Sequence, residues 1–185
     1  MIRCFEDVYL CSTIHHGKAR TMRNSPKIRD WCREHTDISQ SQQSRWAEKI
    51  ENDPSIKMFS IMVDRDYLDE DNKPLARIDC QVGVCGFTSI DKKNGSAEFS
   101  CYIGEDYQRQ GFARKALKTL FKHGFDDWGF HRIWGETFDG NPALDLFLSL
   151  GMQKVGTNRQ AYWKKGRFID AHIIDILSEE FDGNF

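Results

Sequence analysis

The stretch that decides the fold is Ala97–Ala116, which reads AEFSCYIGEDYQRQGFARKA. Its first part, Ala97–Ile103, is apolar and rich in residues that favour strands, so we predict a β-strand there. Residues 104–110 form a short polar turn, and Gly111 then opens a segment with the spacing of a helix. One face of that helix collects the apolar side chains of Ala113, Leu117, Leu120, Phe121, Phe125 and Trp128.

The turn between this strand and this helix has the pattern Gln108-x-x-Gly111-x-Ala113. The first turn of a helix leaves backbone N–H groups without partners, and the helix dipole adds positive potential at that end. Gly111 and Ala113 keep the approach free of bulky side chains. The loop therefore predicts an anion site suited to a phosphate or pyrophosphate, although an ordinary tight turn would use the same residues.

A second motif follows about 30 residues later, where Asn141-Pro142-Ala143 begins a short segment that ends at Leu150-Gly151-Met152. Together the two motifs resemble those of the GCN5-related N-acetyltransferases (GNAT), whose acetyl-CoA pyrophosphate loop reads Gln/Arg-x-x-Gly-x-Gly/Ala. The resemblance covers about residues 56–178, and Met22–Trp31 extends it to nearly the whole chain. That opening segment and the Gly166–Asp170 hairpin look like the branch with ribosomal-protein, spermidine and amino-sugar acetyltransferases.

The resemblance implies acetyl-CoA as the co-substrate, with its pyrophosphate on the backbone N–H groups of residues 109–114. It also implies a main-chain N–H near Tyr102 or Ile103 for the thioester oxygen, on a strand that splays from its neighbour. The cofactor-binding residues expected are Tyr102, Ile103, Gln108, Arg109, Gln110, Gly111, Phe112, Ala113, Arg114 and Asn141. Asn141 fits a plain helix N-cap equally well, and the Arg109 and Arg114 side chains fit solvated surface residues equally well.

Glu98 is the candidate catalytic residue, because it lies inside an otherwise apolar strand, five residues before its end. A carboxylate at such a place lies at a sheet edge, pairs with another group or lines a cleft. Partial burial tunes a carboxylate toward general-base work at neutral pH. We predict that Glu98 takes the proton of the amine, directly or through a water. The alternative is a strand glutamate that is merely hydrogen-bonded or exposed.

The chain departs from the family pattern at Phe147, where many relatives have a tyrosine four residues before the glycine of the second motif. Phenylalanine has no proton to give, so a tyrosine general acid at this position is excluded. The leaving thiolate then departs without a protein acid, or Cys101, Tyr102 or another group takes that role. This departure sustains a rival interpretation, a GNAT-fold module that binds acyl-CoA without catalysis, as a sensor or scaffold.

Length, charge and cysteine spacing limit the kinds of protein that this chain can be. The 185 residues suffice for one domain, so we expect a single acetyltransferase domain over 1–185. The net charge of −2 gives no general field for nucleic acid, and the basic residues of 109–122 have the spacing of a solvated helix face. None of the six cysteines forms a C-x-x-C pair, and no histidine follows at zinc spacing, so we expect no metal and a reducing cytoplasm. No apolar run is long enough to span a membrane.

Residue patterning along the chain predicts the order β-α-α-β-β-β-α-β-α-β-β. We therefore expect an α/β (α+β) protein with the GNAT fold, in which helices flank both faces of a mixed, mostly antiparallel sheet of about seven strands. Predicted strands cover 5–11, 56–63, 78–90, 97–103, 132–138, 153–163 and 167–177. Predicted helices cover 19–35 with a break at Pro26, 37–50 with a Ser39 or Ser41 cap, 111–128, and a short one after Asn141. An acidic loop is predicted at 64–74.

These expectations combine into an acetyl-CoA-dependent N-acetyltransferase that passes the acetyl group directly to a primary amine in a ternary complex. The acceptor is a small-molecule or peptide amine. Amino sugar, polyamine, protein N-terminus and antibiotic amine all stay open, as does a homodimer. Residues expected to face the acceptor are Arg23, Asn24, Glu34, His35, Trp46, Tyr162 and Trp163.

Overall fold

One sheet organises the chain. A computed structural model describes residues 1–3, 5, 7–68 and 74–183. The strands are β1 (Ile2–Arg3), β2 (Val8–Cys11), β3 (Lys57–Leu68), β4 (Pro74–Asp91), β5 (Ser96–Ile103), β6 (Arg132–Phe138), β7 (Gln153–Lys164) and β8 (Arg167–Leu177). The helices are α1 (His16–Asn24), α2 (Pro26–Arg29), α3 (Gln40–Asn52), α4 (Phe112–Lys122) and α5 (Ala143–Leu148). The strands lie side by side in the order β1-β2-β3-β4-β5-β6-β8-β7.

The sheet is mixed and mostly antiparallel, as predicted. Within the described ranges the one parallel contact joins β5 to β6, and every other neighbouring pair is antiparallel. The seven predicted strands all form, and β1 is an addition of two residues that pair with Leu10 and Tyr9 of β2. The strand predicted over 5–11 is shorter in the structure, where β2 begins at Val8.

Helices cover both faces of the sheet, which confirms the predicted layers. The apolar side of α4 is fully buried at Leu117, Leu120 and Phe121, in the larger core. On β4 the neighbouring side chains Val84 and Cys85 point to opposite faces, as strand geometry requires. Cys85 joins the α4 core, whereas Val84 joins a smaller cluster under α1 and α3.

The first predicted helix, 19–35, breaks at Pro26 as predicted but is wrong over its last part, residues 30–35. Helix α1 ends at Asn24, α2 is four residues long, and residues 30–39 carry no helix. Pro26 cannot donate the hydrogen bond that would continue α1. The Asn24 side chain then fixes the return of the chain, because its Nδ2 donates to the Ile38 carbonyl at 3.0 Å and its Oδ1 accepts from the Ile38 N–H at 2.8 Å. We name residues 30–39 the crossing segment.

The remaining helices form near their predicted positions, whereas the predicted acidic loop does not. Helix α3 begins after Ser39, whose hydroxyl accepts from the Gln42 N–H in a capping box. The acidic loop predicted over 64–74 is wrong where the structure describes it, since β3 runs to Leu68 and β4 starts at Pro74; residues 69–73 lie outside the described residues. The helix after Gly111 ends at Lys122 and continues as one π-helical turn, His123–Asp127.

Candidate active site

The central feature of the site is a gap between β5 and β6. The two strands pair only over Ser96–Glu98 against Arg132–Trp134. Beyond Glu98 the described residues of the two strands have no register partners in each other. Gly135 of β6 lies under the Phe99 ring, where a Cβ atom would come within 2.4 Å of a ring carbon. The strands therefore separate into a cleft, as the family resemblance implies.

Main-chain groups of β5 face this gap. The Gly104 N–H donates to the Val82 carbonyl of β4 at 2.8 Å. Peptide directions alternate along a strand, so the N–H groups of Ile103 and Cys101 point away from β4 and toward the gap. Of the two residues predicted to offer an N–H to the thioester oxygen, Ile103 has the required direction and Tyr102 does not.

The Tyr102 side chain lies on the α1 face of the sheet. Its hydroxyl donates to the Ala19 carbonyl at 3.2 Å, and burial raises the pKa of this phenol. Cys101 points to the opposite face, where burial raises the pKa of its thiol to about 12. Both groups hold their protons firmly at neutral pH, so neither is well matched to give a proton to a thiolate.

The predicted anion loop has a backbone shape that suits an anion. Arg109 and Gly111 both have left-handed backbone angles, with φ of 60° and 80°. Successive N–H groups in such alternating conformations converge on one point and form a concavity for anions. Two glutamines brace the loop, because Gln108 Nε2 donates to the Ile103 carbonyl at 3.1 Å and Gln110 Nε2 to the Asp106 carbonyl at 3.2 Å.

The start of α4 completes this loop. Gly111 is the N-cap residue, no side chain caps the helix, and a Cβ at Gly111 would meet nothing within 4 Å. The N–H groups of Phe112, Ala113 and Arg114 are therefore left for an external acceptor. Phe112 is buried in the core and anchors the first turn. Exposed main chain, open space and the helix dipole fit the pyrophosphate of acetyl-CoA.

The side chains around this loop divide between structural and solvent-facing roles. Arg114 donates to the Ser149 hydroxyl at 2.7 Å, so it joins α4 to the end of α5. Arg109 is exposed. Asn141 acts as a cap, since its Oδ1 accepts from the Ala143 N–H at 3.0 Å. Phe147 is buried against Phe99, with ring centroids 5.1 Å apart in an edge-to-face arrangement.

Glu98 is buried and paired. It is 7% exposed and lies on the α1 face, where the cleft begins. Arg33 of the crossing segment donates from Nη2 to Glu98 Oε1, and the Thr88 hydroxyl donates to Oε2 at 3.4 Å. The structure thus places the predicted base at the mouth of the gap, with a guanidinium beside it.

A second carboxylate, Glu136 of β6, lies across the gap. Its side chain is 6% exposed and accepts hydrogen bonds from Arg33 Nε at 3.1 Å, the Tyr162 hydroxyl at 2.5 Å and Asn158 Nδ2 at 2.9 Å. Burial disfavours its charge, but the bonds from Tyr162 and Asn158 and the Arg33 guanidinium outweigh burial and lower the pKa of this carboxyl. Sequence reasoning missed Glu136, although it interrupts an apolar strand as Glu98 does.

A polar depression lies on the last hairpin, near Glu136. It has a volume of about 660 Å³ and is lined by Thr157, Asn158, Arg159, Gln160 and Asp170. The register of β7 against β8 shifts between Asn158 and Tyr162, and Gln160 takes a left-handed φ of 51°. Asn158 belongs both to this depression and to the hydrogen bonds of Glu136, so the depression opens beside the second carboxylate.

The residues predicted to face the acceptor separate into two groups. Tyr162 lies at the site, bound to Glu136. Arg23 and Asn24 instead hold the crossing segment, with Arg23 Nη2 donating to the Glu34 carbonyl at 2.9 Å. Trp46 of α3 packs edge-to-face against His16 of α1, and Trp163 is 56% exposed beside Phe168.

The described part of the chain shows neither a cluster of metal-ligating side chains nor a membrane-spanning helix. No group of three or more histidine, cysteine, aspartate or glutamate side chains there is arranged to hold a metal ion. None of the helices is both long and apolar enough to cross a bilayer.

The cleft, the loop and the second motif agree with a comparison with known families. The acetyltransferase (GNAT) domain family matches residues 13–153. The chain belongs to the GNAT acetyltransferase family. The match begins before α1 and ends at β7, so it contains the loop, both carboxylates and the crossing segment of this GNAT chain.

Proteins of similar sequence also carry the name N-acetyltransferase. The GNAT chain is 36% identical over 103 residues to an uncharacterized N-acetyltransferase p20 of Bacillus licheniformis, covering 55% of the chain and 58% of that protein. It is 26% identical over 101 residues to spermidine N(1)-acetyltransferase of Vibrio cholerae, covering 54% and 58%. These alignments span little more than half of the curated relatives.

Solved structures share the fold over a greater length. The crystal structure of spermidine N-acetyltransferase from Vibrio cholerae in complex with CoA and spermine superposes with a TM-score of 0.80 at 20% identity, covering 95% of the GNAT chain and 98% of that one. A GCN5-related N-acetyltransferase from Brucella melitensis superposes with a TM-score of 0.71 at 21% identity, covering 97% and 80%. At these identities the likeness is evidence for the fold.

Proposed function

We propose that this GNAT chain transfers the acetyl group of acetyl-CoA to a primary amine by direct attack in a ternary complex. The observation that carries the proposal is the gap between β5 and β6. It connects the anion loop at Gly111 on one side with the buried carboxylates Glu98 and Glu136 on the other. An acetyl thioester laid along the gap would bring its carbonyl to the carboxylates.

The cofactor side of the reaction uses main chain more than side chains. The N–H groups from Arg109 to Arg114 would bind the pyrophosphate, and the Ile103 N–H would donate to the thioester oxygen as negative charge develops there. Asn141 supports this side through its cap, and its Nδ2, which makes no hydrogen bond within the described chain, would be free to donate to acetyl-CoA.

The acceptor side divides its work between two carboxylates. Glu136 receives three hydrogen bonds that favour its ionised form, so it suits the holding of a positive group. Glu98 lies where the two strands part, and it accepts from Arg33 and, at 3.4 Å, from the Thr88 hydroxyl. We assign Glu98 as the general base.

The proposed transfer moves one acetyl group to the amine and releases two protons from it. The substrate ammonium gives one proton to Glu98, and the nitrogen lone pair forms a bond to the thioester carbonyl carbon. The carbon–sulfur bond then breaks, the sulfur leaves with its electron pair, and the nitrogen loses its second proton as the amide forms. The thiolate takes up one proton and the other reaches solvent. Phe147 is packed in the core and gives none, so this route contains no tyrosine acid.

The acceptor is proposed to be a small-molecule or peptide amine that is protonated when it arrives. Two acidic side chains and a polar depression support a cationic acceptor. The similarity to a spermidine N(1)-acetyltransferase makes polyamines the first class to test. We further propose that residues 1–185 act as one acetyltransferase domain in the cytoplasm, which the free thiols of Cys11, Cys32, Cys80, Cys85 and Cys101 support.

The decisive experiment incubates the protein with acetyl-CoA and an amine panel of polyamines, amino sugars, amino acids and peptides. The expected result is CoA release together with the mass gain of one acetyl group on one class of amine. Binding of acetyl-CoA without transfer to any amine would instead favour the rival function, a non-catalytic acyl-CoA sensor or scaffold. Calorimetry with acetyl-CoA alone separates that rival from a protein that does not bind the cofactor.

A further inference from the structure

One guanidinium forms ion pairs with two buried carboxylates at the mouth of the cleft. Arg33 donates to Glu98 from Nη2 and to Glu136 from Nε. The carboxylate side chains are 9% and 6% exposed, whereas the Arg33 side chain is 49% exposed. The anions are thus fixed in the protein, and the cation reaches them from the solvent side.

The charges of this group do not cancel. Two carboxylates against one guanidinium leave a net charge of −1. The neighbouring cation Lys164 donates its ammonium to the carbonyls of Asp30 and Cys32 instead. Burial lowers the pKa of Lys164, and its ammonium is engaged by these two carbonyls rather than by the carboxylates. Buried anions with too little countercharge favour the uptake of a cation from solution.

The position of Arg33 coincides with the place that the acceptor needs. Glu98 is the last residue of β5 that pairs with β6, so the gap opens directly beyond it. An amine that attacks in this gap and gives its proton to Glu98 must lie beside the Glu98 carboxylate. Arg33 Nη2 already lies there, within hydrogen-bonding contact. Two cations cannot occupy that one position.

The Arg33 side chain can leave without unfolding the segment that carries it. The crossing segment is tied at one end by Lys164, which donates to Asp30 and Cys32, and at the other by the bonds between Asn24 and Ile38. These ties hold the backbone on both sides of Arg33 and do not involve its guanidinium. A long arginine side chain with half its surface in solvent has room to swing outward.

We propose that Arg33 is a resident competitor for the acceptor site: its guanidinium stands in for the acceptor's ammonium between Glu98 and Glu136, and a substrate binds by displacing it. The inference rests on the proposed function and adds the residue that selects the acceptor. A protonated amine can replace the guanidinium because it restores the lost ion pairs. A neutral nucleophile cannot, so Arg33 excludes hydroxyl compounds and uncharged amines.

The test uses Arg33→Ala with ethylguanidinium chloride, which returns the missing group as a free ion. By calorimetry and thermal shift, ethylguanidinium should bind the variant and not the unaltered protein. With the amine that the panel identifies as substrate, the variant should show a KM about tenfold lower, and ethylguanidinium should inhibit it competitively against the amine. Lys165→Met removes one positive charge from the same region, at an exposed side chain paired with Asp30, and should leave KM unchanged.

The sign of the ethylguanidinium effect decides the proposal. If Arg33 only orients the carboxylates while the amine binds beside it, ethylguanidinium will restore the activity of Arg33→Ala rather than inhibit it, and the proposal is overturned. Failure of ethylguanidinium to bind the variant overturns it as well. Should Arg33→Ala fold poorly, Arg33→Gln retains hydrogen-bonding capacity without charge and must show the same lowered KM.

The displacement of Arg33 can be tested even if the proposed acetyltransferase activity is not found. If no amine is acetylated, calorimetry with spermidine and ethylguanidinium still tests the shared site. Spermidine should bind Arg33→Ala more tightly than the unaltered protein, and saturating ethylguanidinium should abolish that binding. Simultaneous binding of the two cations, or equal spermidine affinity in both proteins, contradicts the displacement.

Discussion

At the scale of single residues, Glu98 and Glu136 differ through their partners rather than their burial. Both interrupt apolar strands and both touch Arg33. Glu136 also accepts from the Tyr162 hydroxyl and the Asn158 amide, whereas among the residues that the structure describes Glu98 accepts, besides Arg33, from the Thr88 hydroxyl at 3.4 Å. Glu98 is also the residue at which β5 and β6 part, so the chemistry should depend on Glu98.

Glu98→Gln should lower kcat/KM by about 10²–10⁴ at neutral pH, because the amide keeps the size of the side chain but cannot take a proton. Acetyl-CoA affinity should stay nearly the same, and the acid limb of the pH–rate profile should flatten or move. Steady-state kinetics from pH 5 to 9 and calorimetry measure these effects. Glu179→Gln, at an exposed position, is the matched control. A near-normal rate and profile in Glu98→Gln would make Glu98 structural.

How much of the site could be predicted from sequence depends on each residue's partners. Glu98 was recognisable because a charge inside an apolar strand needs an explanation, and Glu136 offered the same signal. Arg33 offered none, since its contacts join positions 65 and 103 residues apart in the chain. Local spacing predicts a helix for the crossing segment that carries Arg33. It cannot show that the Asn24 side chain forms hydrogen bonds with the main chain of Ile38.

At the scale of elements, the junction of β5 and α4 was predictable because its signals are local. A left-handed glycine, a bare helix N-terminus and a buried Phe112 all lie within a few residues of one another. The gap between β5 and β6 was expected only by family resemblance. Beside it Phe99 packs over Gly135, a contact between two strands that residue patterning does not reveal.

The loop provides a prediction about cofactor binding. Gly111→Val should abolish acetyl-CoA binding in calorimetry while unfolding stays cooperative, because the branched side chain would strain the left-handed backbone and fill the approach. Ala113→Glu should do the same through bulk and charge. Gly129→Val is the control, since Gly129 has a φ of 67° and equally open surroundings outside the loop. Unchanged affinity in both loop variants would refute the pyrophosphate assignment.

Helix α5 provides a prediction about stability. Phe147→Leu should cost about 1 kcal/mol in the free energy of unfolding, because a buried ring in edge-to-face contact with Phe99 is replaced by a side chain of similar volume. Turnover should stay within a few-fold. Denaturant titration and steady-state kinetics test both parts. A loss of activity by orders of magnitude in the folded variant would show that the ring positions a substrate.

At the scale of the whole molecule, the two carboxylates connect the sheet to the rest of the chain. Glu136 joins β6 to β7 through Tyr162 and Asn158, and both carboxylates join the sheet to the crossing segment through Arg33. The site is therefore also part of what holds the last hairpin and the first helices against the sheet. Protonation of these carboxylates should therefore influence the stability of the entire fold.

Glu136→Gln should make this influence measurable as a change in the acid side of the stability profile. The pKa of Glu136 is lowered in the folded protein, so its charge adds stability above the unfolded pKa of about 4.3, and that stability is lost as pH falls through the folded pKa. At pH 7 the variant should be less stable by about 1–3 kcal/mol, since bonds to a charged acceptor are lost. The difference should shrink steadily below about pH 5. Urea titrations at several pH values measure this difference in the free energy of unfolding. Glu48→Gln, at an exposed position, is the control. A difference that stays constant down to pH 3 would mean that the carboxylate charge of Glu136 contributes nothing to stability.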